Sequence, residues 1–495
     1  MSSNTTYGDW MRPLRGGIRN IGRPLTLAGL GVLVVTLLLC MANVVAAIIV
    51  CAVGMTVIMV LARRDSENRN LLDRRQERSA FLRAARTGRG LYRSGLLGFV
   101  AEGQCRLPGV LSQVRLVSGL DGLGGEFCLV SHGHTGEYSL LIACHPQGVG
   151  LADAKVEDSY VAGWAEVMTS LASELGVTQM SVTVDTSPDS GVRFRRALRR
   201  NLDADAPALA AEALAQVMDL YATGGSRTEV TFALTYRYRD KNNRFVDERE
   251  ACRRIGQQIP MLKELLAGAG AGSPSCLTVV ELSRMVRVSY DPAVLDVVED
   301  RSDGHVAVAW DDAGPSAAQT SWDWYRHDSG VSRSWQMCDP PSSNVTSSTL
   351  TRLLAASDDC DRKRVTLLFR MLPPAQTMFI AEQNRIRAAA QVGQEKTATV
   401  RSYTQITKAN HQAVETTEGA VLVYFGLLVT ATVRSGVDDM DRLDAASRMV
   451  EQAAGAAMVN LRVCYGAQDS AFAASLPLGL NVRSYTPQNA LSALR

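Results

Sequence analysis

Residues Leu25 to Ala62 read LTLAGLGVLVVTLLLCMANVVAAIIVCAVGMTVIMVLA, thirty-eight consecutive positions without a charged side chain. One unbroken helix of that length would extend roughly 57 Å at ~1.5 Å per residue, against a bilayer hydrocarbon core of ~30 Å. Asn43 is the polar break, in Met41-Ala42-Asn43. The run therefore predicts a transmembrane helical hairpin, with spans near Leu25–Leu39 and Val44–Ala62. A single long tilted span is the alternative, and it would place the bulk of the chain outside. A cleaved signal peptide fits poorly, since its apolar region would be ~7–15 residues followed by a small-residue cleavage site.

The flanks set the orientation. Arg12, Arg15, Arg19 and Arg23 precede the run against Asp9 alone. Arg63, Arg64, Arg69, Arg74, Arg75, Arg78, Arg83, Arg86, Arg89 and Arg93 follow it, against Asp65, Glu67, Asp73 and Glu77. Because Arg-rich flanks stay in the cytoplasm, the number of crossings is even. Two crossings of a bacterial cell membrane leave both termini and the main domains in the cytosol.

The formal net charge of +2 gives no global basic field of the kind that binds nucleic acid, so no sequence-specific nucleic-acid binding is expected. The basic excess beside the apolar run suits anionic lipid headgroups, or acts only as a topology signal. Ten cysteines are scattered without a C-x-x-C pair, as expected of small buried hydrophobes in a reducing compartment.

The rest of the chain predicts an α+β fold. Residues 1–24 form a basic tail carrying Tyr7 and Trp10, 25–62 the membrane hairpin and 63–105 a basic connector. A first α+β unit spans 106–290, a linker 291–321 (with DDAGPSAAQT at Asp311–Thr320), and a second α+β unit 322–495. In the first unit Val110–Val117, Tyr138–Cys144, Val177–Val184, Thr228–Tyr238 and Cys276–Leu282 read as strands. Tyr160, Trp164, Val167, Met168, Leu171 and Leu175 fall on one helical face. A second helix is expected near Pro207–Tyr221, and a third is capped by Asp247. The second unit repeats this order in outline: strand Trp322–Met337, helix Ser348–Ala356, strand Val365–Met371, a polar helical stretch Gln376–Glu415, strand Leu427–Val433, helix Asp438–Met458 and strand Leu461–Tyr465. That parallel suggests a divergent duplication of a split βαβ sheet with helices on one face.

No constellation of catalytic residues emerges. A phosphate loop needs glycines followed by a Lys-Ser/Thr pair, and neither Gly122-Leu123-Gly124-Gly125 nor Gly268-Ala269-Gly270-Ala271-Gly272 supplies one. His132 and His134 form an H-x-H pair near His145, but only Cys144 accompanies them as a possible metal ligand. His411-Gln412-Ala413-Val414-Glu415 is not H-E-x-x-H, and no G-x-S-x-G exists. The expectation is a protein without catalytic residues, cofactor or metal. Trp322, Trp324, Tyr325 and Trp335 could stack the bases of a single strand, but burial in a sheet core is the better reading.

The most specific signal lies at the other end. The run from Gly466 to Leu480, with Gln468, Phe472, Leu476, Pro477 and Gly479 in a Q-x-x-x-F-x-x-x-L-P-x-G pattern, resembles the end of the non-catalytic N-terminal domain of VirB/TraC-like conjugation ATPases of type IV secretion. There the segment precedes the motor domain; here the sequence runs on only to Arg495. With Leu107-Pro108-Gly109-Val110-Leu111, His145 to Ala154 and Trp324 to His327, the whole chain resembles actinobacterial membrane proteins encoded with conjugative elements. The resemblance implies an oligomeric inner-membrane scaffold joining a two-span channel subunit to a domain of the motor. Its partners would be a separate hexameric ATPase, other membrane components of the machine and the lipid membrane. Phe472, Leu476, Pro477, Leu478 and Gly479 would then be a candidate ATPase interface, unless the protein's own sheet covers them. The membrane subunit of type VII secretion, also a hairpin followed by a cytosolic domain, is the alternative, and a membrane-anchored enzyme a further one. The insertion 376–415 matches no motif of the resembling family.

Overall fold

A computed structural model describes residues 23–63, 65, 69–98, 100, 103–146, 148, 153–174, 176–189, 191, 198, 200–201, 207–221, 225–300, 308–341, 345–394 and 400–485. Residues 1–22 of the expected basic tail lie outside these residues, as does most of Gln147–Ala152, while Arg23 and Pro24 belong to the first helix. The chain divides into two compact units, one covering residues 10–89 with 338–340, the other the remainder from residue 90 onward.

In the first unit, α1 (Arg23–Cys40) and α2 (Val44–Ala62) are joined by a three-residue turn and pack side by side. Asn43 makes the turn: its Oδ1 accepts from Val45 N at 3.0 Å and Ala46 N at 3.3 Å, which satisfies the first free amides of α2. Gly54 lets the helices approach, because a Cβ there would lie 2.5 Å from Val32 Cγ1. With its 19 residues α2 is long and apolar enough to cross a membrane, whereas the apolar part of α1, Thr26–Cys40, is shorter. α3 (Leu71–Arg86) follows, with Asp73 Oδ2 accepting from Asn70 N at its start.

The second unit, the body, is built on one antiparallel sheet. Its strands are β1 (Leu91–Arg93), β2 (Val114–Leu120), β3 (Glu126–His132), β4 (Glu137–Cys144), β5 (Val177–Pro188), β6 (Ser226–Tyr236), β7 (Ser275–Cys276), β8 (Ala317–Thr320), β9 (Tyr325–His327), β10 (Gly330–Asp339), β11 (Arg362–Met371), β12 (Val423–Arg434) and β13 (Asn460–Val463). They lie in the order β1-β8-β9-β10-β12-β11-β5-β6-β4-β3-β2, with β7 on β4 and β13 on β10. The helices that matter to the site are α4 (Ala154–Ser173), α5 (Ala208–Tyr221), α6 (Glu248–Gly268) and α7 (Val279–Tyr290). After the short α8 (Leu295–Asp300) and α9 (Thr351–Leu354) come α10 (Pro374–Gln394), α11 (Val400–Thr417), α12 (Asp439–Ala456) and α13 (Gln468–Ser475).

Period-two alternation sorts each strand onto two covered faces. Leu140 and Ile142 of β4 meet Val167 and Leu171 of α4 and Ile255, Ile259 and Leu262 of α6. On the same face Val429 and Val433 of β12 meet Leu443 and Val450 of α12. The intervening residues Leu141, Ala233 and Leu428 pack instead against Leu282 and Val286 of α7 and Phe472 of α13. The helices therefore cover both faces, not one, which is why Tyr138–Cys144 carries apolar residues at successive positions.

Four boundaries differ from the sequence reading. Cys276–Leu282 is not a strand beyond Cys276, because Thr278 and Glu281 form a capping box: Thr278 Oγ1 accepts from Glu281 N at 3.4 Å and Glu281 Oε2 from Thr278 N at 2.9 Å. The expected linker contributes β8 to the sheet and buries Ala313 and Ala318, so the two α+β units are one continuous body. Trp322–Met337 is a hairpin, β9 and β10, turned at Asp328 with φ +36°. Gly109–Leu111 is a 3-10 turn, so β2 begins at Val114.

Candidate functional site

Phe472, Leu476, Pro477, Leu478 and Gly479, the candidate ATPase interface, are all buried. That expectation is corrected: the cover is the protein's own sheet. Gln468 begins the segment as a side-chain mimic of a strand, its Oε1 accepting from Ser334 N at 2.8 Å and its Nε2 donating to Ser334 O at 3.3 Å and Cys464 O at 3.1 Å. Phe472, one α-helical turn on, sits among the rings of Tyr290, Tyr325 and His327, with centroids at 5.1, 5.3 and 4.6 Å. The Arg364 guanidinium lies 4.6 Å over the Phe472 ring.

Beyond α13 the segment crosses the sheet and is held by side chains that donate to its carbonyls. Thr366 Oγ1 donates to Ser475 O at 3.1 Å, Thr235 Oγ1 to Gly479 O at 2.6 Å and Gln179 Nε2 to Leu480 O at 3.1 Å. Gly479 is required here: φ is +65°, and a Cβ would stand 2.6 Å from Ser139 Oγ and 2.8 Å from Thr235 Oγ1. Asn481 Nδ2 and Ser484 Oγ then donate to Glu137 Oε1, which Arg237 also engages at 2.7 Å. Each named position of the Q-x-x-x-F-x-x-x-L-P-x-G run has a packing or backbone role.

Two buried networks flank this segment, and the sequence reading missed both. His132 Nε2 meets Ser139 Oγ at 3.0 Å, and Ser139 Oγ meets Thr235 Oγ1 at 2.9 Å. His327 Nε2 meets Ser332 Oγ at 2.7 Å, and Ser332 Oγ meets Thr432 Oγ1 at 2.7 Å. Burial pushes both imidazoles down to about 4, so each is neutral at pH 7. His327 Nδ1 donates to Tyr290 O at 2.6 Å, which fixes its tautomer with Nε2 as the acceptor. The signal in the sequence was the Ser and Thr residues at alternate positions of otherwise apolar strands. These networks orient backbone and hold no nucleophile open to solvent, since His132, Ser139, His327 and Ser332 are buried.

His134 and His145 do not join them. His134 is exposed, with its ring edge-on to Tyr485 at 6.2 Å, and His145 Nδ1 contacts Ser273 O at 3.3 Å. Among the described residues no three His, Cys, Asp or Glu side chains are grouped to hold a metal ion, and all ten cysteines are free thiols. Tyr325 and Trp335 are core residues, while Trp322 stacks on Tyr465 at 5.6 Å.

The exposed apolar surface of the body includes the pair α10 and α11, inserted between β11 and β12. The helices pack against each other through the buried Ala381, Ala388 and Ala409, and Asn384 Nδ2 donates to Gln412 Oε1 at 3.1 Å. Met378, Phe379 and Ile386 on α10, and Tyr403 and Val414 on α11, remain exposed. Neither a protein-family model nor a curated protein matches the chain.

Proposed function

We propose that this protein is a non-enzymatic scaffold of a type IV secretion or conjugation machine, anchored by α1 and α2 as a two-span hairpin with the body in the cytosol. The carrying observation is the surface of the apolar pair. Leu27, Leu30, Leu33, Leu37, Ile48, Ile49, Val53 and Met59 all point outward, an apolar belt that lipid covers at no cost and water does not. Arg-rich stretches on both sides of the run favour an even number of crossings.

The body is read as a duplication, supported by its strand order. β5-β6-β4-β3-β2 and β11-β12-β10-β9-β8 run outward from the centre in the same sequence, and β7 on β4 matches β13 on β10. The registers agree too: Ser139 pairs with Thr235 as Ser332 pairs with Thr432. These equivalences match Thr183 with Thr366, and the two are partners across the β5–β11 junction with their hydroxyls 3.2 Å apart. A pseudo-twofold axis between them relates the order on the two sides of the sheet, with β1 alone lacking a counterpart. The ends of α7 and α13 are exchanged about it, since Tyr290 O meets His327 of the second half and Gly479 O meets Ser139 and Thr235 of the first.

With the C-terminal run buried, docking of a separate ATPase falls to α10 and α11, where Met378, Phe379, Ile386, Tyr403 and Val414 are exposed among the described residues. The test is co-purification of the tagged full-length chain in detergent from its native cells. A motor ATPase should accompany it and be lost in Phe379→Asp, while the melting temperature stays within ~1 °C, as for surface changes of no more than ~0.5 kcal/mol. Recovery without a motor ATPase, or with partners of a different secretion system, overturns the reading. The topology has its own check: a cysteine added at Arg495 should resist a membrane-impermeant thiol reagent in intact cells and react after lysis.

A further inference from the structure

β2 ends the sheet, and its outer edge has an unusual arrangement of free backbone groups. Cys128 N donates to Leu277 O at 2.8 Å, away from β2, so the Ser118–Cys128 pair is a non-hydrogen-bonded one. By the alternation of an antiparallel ladder, Val114, Leu116, Ser118 and Leu120 turn their N–H and C=O outward, while Val117 and Arg115 bond to β3. The two ends of that edge are covered. Trp310 Nε1 donates to Val114 O at 3.0 Å, and Leu120 O lies against Gly256 of α6, where a Cβ would come within 2.8 Å of it. Among the described residues the open stretch is thus Leu116 and Ser118, two donors and two acceptors centred on Val117. At the opposite end of the sheet the edge of β8 is not left open, because β1 pairs with it at Leu91–Arg93.

This stretch is complementary to itself. Two copies placed antiparallel about Val117 pair Leu116 with Ser118 and Ser118 with Leu116, which satisfies all four donors and acceptors. Val117 then faces Val117 as a non-hydrogen-bonded pair, the closer kind, with Cα atoms ~4.5 Å apart. The side chains allow it. Arg115 falls opposite Gly119, whose missing side chain is replaced by the Phe127 ring, so no like charges meet across the edge. β2 also lacks proline, lysine and an inward-pointing charge, the features that usually blunt an exposed edge. We infer that this protein forms a twofold dimer by joining the β2 edges of two copies, so that one sheet runs through both bodies.

The inference rests on neither the membrane nor the secretion reading. It is tested on the full-length chain in detergent and in native membranes. Val117→Cys should give a reducible dimer on mild oxidation, since ~4.5 Å between Cα atoms lies within disulfide reach. The wild-type chain with its own cysteines serves as the background. Ser118→Pro, added to Val117→Cys, should lower the cross-linked fraction about tenfold. Its N–H takes no part in the β2–β3 ladder, so the melting temperature should hold. Leu116→Pro is the second variant of the same kind, should Ser118→Pro fold poorly. A wild-type mass of one chain, no cross-link above background, or a cross-link that survives both prolines would each overturn the dimer.

Discussion

Phe472→Asp is expected to unfold the body rather than to release a partner. The ring is fully buried among Tyr290, Tyr325, His327 and Arg364, and removing such a ring alone typically costs ~3–5 kcal/mol. A carboxylate in its place adds the cost of burying a charge with few hydrogen-bond donors nearby. Arg364 offers partial compensation, because its Nη1 and Nη2 have no hydrogen-bond partner among the described residues. Against a total stability of ~5–15 kcal/mol the loss should leave the variant aggregated or melted at 37 °C. Phe472→Leu, which keeps an apolar side chain, should fold with a lowered melting temperature. Thermal melts of the detergent-solubilised chain decide the matter: a Phe472→Asp variant that melts with the wild type would mean the segment is surface, and would restore it as a docking site.

Acid should destabilise the body through His132 and His327. Both are buried as neutral rings with values near 4, below the 6.5 of an exposed histidine. Between those values the unfolded chain binds more protons than the folded one, so stability is fully present above pH 6.5 and is lost as pH falls toward 4. Each ring can account for up to about 3 kcal/mol of that loss, at 1.36 kcal/mol per pH unit of displacement. Arg364 beside His327 adds to the effect, while Asp291 opposes it. Glu174 works in the other direction: burial raises its carboxyl to about 7, so its contribution is present below 4.5 and is lost as pH rises through 7. The melting temperature should therefore fall steeply from pH 6.5 to 4. In a His132→Gln/His327→Gln variant that slope should flatten, whatever the change in absolute stability. An unchanged slope in the double variant would mean that other groups carry the acid response.

The networks around these histidines were hidden in the sequence for a specific reason. His132, Ser139 and Thr235 are 7 and 96 residues apart along the chain, and nothing local distinguishes a serine that bonds a buried imidazole from one that faces water. Likewise the apolar run Cys276–Leu282 has the composition of a strand, and only the capping box of Thr278 and Glu281 turns it into the helix that carries Tyr290 to His327.

What the sequence determined by itself was set by local rules. The uncharged run supplies a helix, Val44–Ala62, long and apolar enough to cross a membrane, Asn43 supplies its cap, and the period of the apolar residues sorted helices from strands over most of the body. The tertiary structure decided which face each strand buries and what covers it. Phe472, Leu476 and Leu478 are apolar whether a partner or the protein's own sheet lies over them, so composition could not choose between an interface and a core. The choice fell to Gln468 and Gly479, because hydrogen bonds to Ser334 and from Thr235 fix the segment against strands far away in the chain. Pairing across such distances depends on strand order, and strand order is set by how both faces of the sheet are filled at once.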